Sequence, residues 1–283
     1  MNNNIDQIFS VVEDGYNTSY IDTVLVSLFY KNDINYILEE TPKKLEGFYL
    51  QELIKNKFVN PIHRNYSISS NVMNEIRNYS VICGWSNDGD ITEQKNCKDY
   101  LCFLLDLFNS KGLELEIFQI ENNIINDNTN IISLQYINLL LEKDDNIRNL
   151  LQCWINSKIF SPNENIIQCY KFIEIPQFII FHINRIKSDC KLDIMKYIKF
   201  FNINDQTQKY IKWKIHSIIC ETNNTNLKHY YCVSTTYEKN KWILFNNKMI
   251  PSFKIIDLKD ENIKENIMND AIIIIYKIKF NSN

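Results

Sequence analysis

Ser19, His229 and Asn246 are the residues whose types and placement could do chemistry. Ser19 sits near the start of residues 17–29, where Ile21, Val24, Leu25 and Leu28 fall at i, i+3, i+4 and i+7. That spacing lines one face of an α-helix, which must be buried. Thr18 and Ser19 stand where the helix begins and Asp22 in its first turn. Both placements suit the free N–H groups and positive dipole end of a helix N-terminus. A thiol at position 19 would be acidified there and become a nucleophile, but the chain carries a hydroxyl. His229 follows the polar stretch 221–228 and opens the run Tyr230-Tyr231-Cys232-Val233. It therefore stands at a strand edge beside a loop, where catalytic groups are commonly held. Asn246 lies 17 residues beyond His229. A hairpin of that size returns the amide to the imidazole, where its oxygen would orient the ring and fix the tautomer. The same spacing also suits a surface histidine and two turn asparagines, Asn246 and Asn247, so context must decide.

The other three histidines are His63, His182 and His216. His182 lies inside the apolar run 178–183 and His216 in a strand-like stretch, so both read as structural. His63 stands near Pro61 with no partner close in sequence. Eight cysteines are scattered, with no Cys-x-x-Cys pair. They read as reduced core residues of an intracellular protein, and no metal site or cofactor is expected.

These residues need elements to hold them. Gly15 supplies a flexible turn before the first helix. Residues 31–46 are polar and turn-rich, 48–58 and 71–79 read as short helices, and 81–90 as a loop. Residues 96–108 form a second strong helix, with Tyr100, Phe103, Leu104 and Leu107 on the face that packs against the first. Residues 113–120 read as a strand and 121–130 as an exposed loop. Residues 131–141 and 147–160 fit helix or strand equally. Residues 178–183, 211–220, 230–236, 241–245 and 271–278 are strands of an antiparallel sheet. Helices in the first half and strands in the second make an α+β fold.

Composition bounds the rest. The chain has 283 residues, 45% hydrophobic and 23% charged, enough to bury a large core. A net charge of −3 argues against a nucleic-acid surface. No apolar run is long enough for a membrane span, and the N-terminus lacks the pattern of a secretory signal. Abundant Asn, Ile and Lys suggest an A- and T-rich coding bias, as in several microbes and large DNA viruses.

Six blocks, in order, resemble those of the ubiquitin-specific proteases. Asn17-Thr18-Ser19-Tyr20-Ile21-Asp22-Thr23-Val24-Leu25 looks like that family's cysteine box, and Asp99-Tyr100-Leu101 like its Glu-Phe-Leu helix. Ile175-Pro176 through His182-Ile183-Asn184-Arg185 is similar to its Leu-Pro-x-x-Leu-x-x-His-Leu-x-Arg strand. Lys228-His229-Tyr230 resembles the Gly-His-Tyr box, Trp242 to Asn247 the Trp-x-x-Phe-Asn/Asp-Asp that follows, and residues 271–276 the closing strand. The resemblance implies a papain-like cysteine protease fold, with a helical thumb followed by an antiparallel β-rich palm. It implies a single catalytic domain over 1–283: a helical part (1–110), a reduced replacement of the zinc-bearing fingers (111–170) and a β-rich part (171–283). Its partner would be ubiquitin or a ubiquitin-like protein, held by the C-terminal tail. Position 19 would be the nucleophile, His229 the base and Asn246 its orienting residue, with Asn247 as a second polar support.

Three departures bear on activity. Ser19 replaces the thiol, and a hydroxyl must lose its proton during attack. Asp14 stands where the family has an oxyanion-binding Asn, and a carboxylate repels a developing oxyanion; Asn17 is the substitute donor. The paired cysteines of the fingers are missing. Little or no turnover is expected from the chain as written. The residues admit a deubiquitinase whose nucleophile has been replaced so that substrate is trapped, or a natural pseudoenzyme that binds ubiquitin or serves as an interaction component. A serine hydrolase is a third reading, which Asp14 disfavours.

Overall fold

The computed structural model describes residues 11–85, 93–121, 124–161, 164–174, 176–201, 210–222, 228–236 and 241–279. In chain order the helices are α1 (Ser19–Phe29), α2 (Leu45–Ile54), α3 (Asn60–His63), α4 (Ser70–Ile82), α5 (Cys97–Leu107), α6 (Ile147–Ile155) and α7 (Glu261–Asp270). The strands are β1 (Leu113–Glu121), β2 (Ile124–Leu134), β3 (Ile137–Leu141), β4 (Asp145–Asn146), β5 (Asn156–Ser161), β6 (Glu164–Phe172) and β7 (Phe178–Arg185). They continue as β8 (Leu192–Asp193), β9 (Tyr197–Phe201), β10 (Tyr210–Thr222), β11 (His229–Thr235), β12 (Trp242–Phe245), β13 (Phe253–Ile256) and β14 (Ala271–Ile278). The chain divides into two compact units, residues 1–110 with 217–263, and residues 111–216 with 264–283.

The first unit is built around α1. Every residue of α1 is buried, not only the apolar stripe that its spacing marks. A helix enclosed all round must satisfy its polar side chains locally. Thr23 Oγ1 donates to the Tyr230 carbonyl at 3.2 Å, which ties α1 to β11, and Ser27 Oγ donates to the Val24 carbonyl at 2.8 Å. His63 donates from Nε2 to the Phe29 carbonyl at 2.8 Å, closing one of the open acceptors at the helix C-terminus. The expected packing of α5 on α1 is present: Tyr100 meets Tyr20 edge-to-face at 5.4 Å, and Trp85 Nε1 donates to Tyr20 Oη at 3.2 Å. The strands of this unit, residues 217–222 of β10 with β11, β12 and β13, pair antiparallel in sequence order.

In the second unit β2-β1-β6-β5 form an antiparallel sheet. β7 pairs antiparallel with β14 but parallel with β3. The strands expected to run antiparallel do so, and β3, whose type the sequence left open, adds in parallel and makes the sheet mixed; β3 reaches β7 through α6 and a long connection that local pattern does not reveal. His182 takes the structural role expected, with Nδ1 2.7 Å from Asn138 Oδ1. Arg185 donates to the carbonyls of Cys190, Met268 (2.8 Å) and Ala271 (3.2 Å).

Other expectations are corrected. Residues 32–39 within the turn-rich stretch form a 3-10 helix, and the exposed loop expected at 121–130 belongs to β1 and β2 over most of its length. Pairing with β1 overrides the low strand propensity of the asparagines in β2. The 147–160 ambiguity resolves into α6 followed by β5. The helix at 48–58 is α2 continued by a π turn over Lys55–Val59. The Asn-Asp-Gly turn at 87–89, Ile175, and the polar turns at 223–226 and 238–240 lie outside the described residues. Cys83, Cys97, Cys190, Cys220 and Cys232 are buried and outside any disulfide, whereas Cys102 is half-buried and Cys153 exposed.

Candidate active site

Ser19, His229, Asn246, Asn247, Asp14 and Asn17 all lie in the first unit. Ser19 is the first residue of α1 and is buried. The turn before it does not cap the helix with a side chain, contrary to expectation. Thr18 instead turns its hydroxyl backward and accepts from Gly15 N–H at 2.9 Å. Gly15 is needed for that approach rather than for flexibility: a Cβ there would stand 2.8 Å from Thr18 Cγ2 and Oγ1. Asn17 adopts the left-handed φ of 52° that asparagine tolerates, and it is exposed. The Ser19 hydroxyl has a partner that the sequence did not suggest, because Gln94 donates from Nε2 to Ser19 Oγ at 2.7 Å.

The hairpin expected between His229 and Asn246 is formed by β11 and β12, and it brings the two side chains together. His229 Nε2 lies 2.9 Å from Asn246 Oδ1. The same Oδ1 accepts the Lys248 backbone N–H at 3.0 Å. A backbone N–H only donates, so this atom is the amide oxygen; an oxygen only accepts, so His229 carries its proton on Nε2. The lone pair is then on Nδ1, the nitrogen that can act as a base. Burial lowers the His229 pKa and nearby Lys248 adds to the effect, while the Asn246 bond opposes it. The ring is neutral at pH 7.

Asn247 bonds two carboxyl groups. Its Nδ2 donates to Asp22 Oδ2 at 2.6 Å and to Asp14 Oδ1 at 3.0 Å. Thr18 Oγ1 lies 3.3 Å from the same Asp22 oxygen and 3.5 Å from Asp14 Oδ1. Asp22 is fully buried, and burial drives its pKa well up, with the neighbouring Asp14 charge acting in the same direction. Asp14 is also raised by burial, less strongly, with Lys248 opposing. Asp14 thus acts as an acceptor for the amide beside it. The sequence placed Asp22 only as a helix-dipole residue; its buried partnership with Asn247 across 225 residues was not legible.

Among the described residues no group of three or more His, Cys, Asp or Glu side chains could hold a metal ion, and no helix is long and apolar enough to cross a membrane.

The model of the family described as ubiquitin carboxyl-terminal hydrolase matches residues 13–276. The chain belongs to the ubiquitin carboxyl-terminal hydrolase family. A search of curated proteins found no match. Among solved structures this hydrolase-family chain is similar to the SAGA DUB module Ubp8/Sgf11/Sus1/Sgf73 bound to monoubiquitin, with a TM-score of 0.71 at 12% identity over 96% of this chain and 69% of that one. The same module bound to ubiquitin aldehyde gives 0.70 at 13% identity, over 96% and 70%. Yeast SAGA DUBm with an Sgf73 mutant gives 0.67 at 14% identity, over 96% and 69%. At such identities the likeness speaks for the fold: helices followed by a mixed sheet, the papain-like thumb-and-palm architecture.

Proposed function

We propose that this chain binds the C-terminal tail of ubiquitin or a ubiquitin-like protein in a deubiquitinase-type site whose nucleophile position holds Ser19, and that it turns substrate over slowly or not at all. The observation that carries the reading is the His229–Asn246 bond, 2.9 Å long and oriented so that Nδ1 is the basic nitrogen. An imidazole held through one nitrogen by a side-chain oxygen presents the other as the base, the arrangement acyl transfer needs whichever nitrogen is held.

In hydrolysis the nucleophile would bond to the carbonyl carbon of the tail while its proton passes to His229 Nδ1. The C–N bond would then break as that proton goes to the leaving amine, and water would release the acyl group. A thiol loses its proton readily to a neutral imidazole. A hydroxyl does not ionise at pH 7, and a histidine whose basicity is reduced by burial helps it less. Slow turnover follows from that mismatch. No Cys-x-x-Cys pair occurs in residues 111–170, so the reading has no zinc-bearing fingers and the ubiquitin contact there would be metal-free. Asp14, engaged as an acceptor, favours a binding protein over a serine hydrolase that has gained full activity.

Titration calorimetry of ubiquitin against the chain with Ser19 unchanged tests the binding. Incubating Ser19→Cys with ubiquitin bearing a C-terminal electrophile tests the site, and rapid labelling that His229→Ala abolishes is expected. Absence of both heat and labelling rejects the reading.

A further inference from the structure

Acyl transfer needs an N–H or O–H donor where negative charge gathers on the carbonyl oxygen. Most polar side chains of the candidate site are already engaged elsewhere. Asp14 Oδ1 and Asp22 Oδ2 both accept from the Asn247 amide, which is engaged with the two of them. The Asn246 oxygen is engaged with His229 and Lys248. Among the described residues Gln94 aims a side-chain N–H at the nucleophile, 2.7 Å from Ser19 Oγ.

Gln94 is held by more than its own bond. Two residues on, Asn96 caps α5, its Oδ1 accepting the Lys98 N–H at 2.7 Å. Buried Cys97 places Sγ 3.5 Å from the carbonyl of Tyr20, the residue after Ser19, and Tyr100 packs edge-on against the Tyr20 ring. The start of α5 is thereby fastened to the start of α1 at Tyr20, next to the Gln94–Ser19 contact, a preorganisation that costs nothing at the moment of reaction.

We propose that Gln94 is an oxyanion donor of this site, its amide bonding the nucleophile at rest and the substrate carbonyl oxygen as the carbon becomes tetrahedral. The assignment rests on the hydrolase reading above. In the addition step the nucleophile–carbon bond forms, the carbonyl π pair moves onto oxygen, and the nucleophile's proton goes to His229 Nδ1. Both oxygens then sit on one carbon, so a donor in reach of the first is in reach of the second. A primary amide has two N–H groups and can serve both.

The test compares Ser19→Cys with Ser19→Cys carrying Gln94→Ala, Gln94→Met or Gln94→Glu, using ubiquitin with a fluorogenic C-terminal amide. Gln94→Met keeps the length of the side chain and guards against collapse of the segment. For the Ala and Met variants kcat should fall by roughly 100-fold with KM within about threefold, the loss typical of one such donor. Gln94→Glu should be no faster than these, since it places a carboxylate against the oxyanion. The pH profile of iodoacetamide alkylation of the introduced thiol should move to higher pH when the amide is removed. If Ser19→Cys with Gln94 intact fails to turn over, the hydrolase reading falls and this assignment with it. If it turns over and the Ala and Met variants keep kcat within about twofold, only the assignment of Gln94 is overturned.

Discussion

Asn247 Nδ2 stands 2.6 Å from Asp22 Oδ2 and 3.0 Å from Asp14 Oδ1, so one amide bridges a carboxyl of the central helix and one from the segment before it. Asp22 Oδ1 and Asn247 Oδ1 are both buried without a hydrogen-bond partner among the described residues. The bridge thus carries the burden of keeping a carboxyl inside the fold.

Removing the bridge should be costly. Asn247→Ala leaves Asp22 Oδ2 with only the Thr18 hydroxyl nearby, and a loss of about 2 kcal/mol is expected from an under-satisfied buried polar group. Urea unfolding measures it; a midpoint equal to that of the unchanged chain would contradict the account.

Asp22 also sets a pH dependence. Its folded pKa lies well above the ordinary 3.8, so the folded chain keeps a proton that the unfolded chain gives up. Its contribution to stability is therefore complete at acid pH and declines as pH rises from about 4 toward the folded value. Asp22→Asn keeps an oxygen for Asn247 and removes the titration. Relative to the unchanged chain, this variant should gain in Tm between about pH 5 and pH 8. A Tm difference that stays flat over that range would count against a proton on Asp22.

His229 titrates in the opposite sense. Its folded pKa lies below the ordinary 6.5, so as pH falls through 6.5 the unfolded chain takes up a proton that the folded chain refuses. Stability from this group is full above that value and is lost as pH falls toward the folded one. In Ser19→Cys, Asn246→Ala should slow labelling by the ubiquitin electrophile at least tenfold, because the ring loses the acceptor that fixes its tautomer; general-base contributions of about 100-fold or more leave room for that loss. Proton NMR of the ring across the acid range checks the pKa, and labelling unchanged by Asn246→Ala would remove that residue from the site.

Gly15→Ala tests the close turn ahead of the nucleophile. With Thr18 atoms 2.8 Å from the added carbon, the turn must open, at a cost of about 1–3 kcal/mol. Thermal unfolding gives the cost. An unperturbed Tm would show that the turn has slack.

In the second unit Arg185 holds three carbonyls, those of Cys190, Met268 and Ala271. Arg185→Met should destabilise the chain by about 3 kcal/mol, as those acceptors lose a charged donor. It should leave ubiquitin-electrophile labelling of folded Ser19→Cys within about twofold, since the carbonyls it holds belong to Cys190, Met268 and Ala271, none of them a residue of the candidate site. Strong loss of labelling in a folded variant would tie Arg185 to the site.

What the sequence determined by itself was local. Apolar spacing marked α1 and α5, alternation and β-branched runs marked β7, β10, β11, β12 and β14, and the 17-residue separation of His229 and Asn246 marked the hairpin that joins them. Each of these signals arises within a few turns or one hairpin. The parallel pairing of β3 with β7, the bridge from Asn247 to Asp22 and the Gln94 bond to Ser19 were decided by tertiary structure alone. They join residues 44, 225 and 75 positions apart, and no local propensity encodes which distant partner a buried polar group will meet. That choice is made when the core closes, because a buried donor or acceptor must then find whatever complementary group the packing has brought beside it.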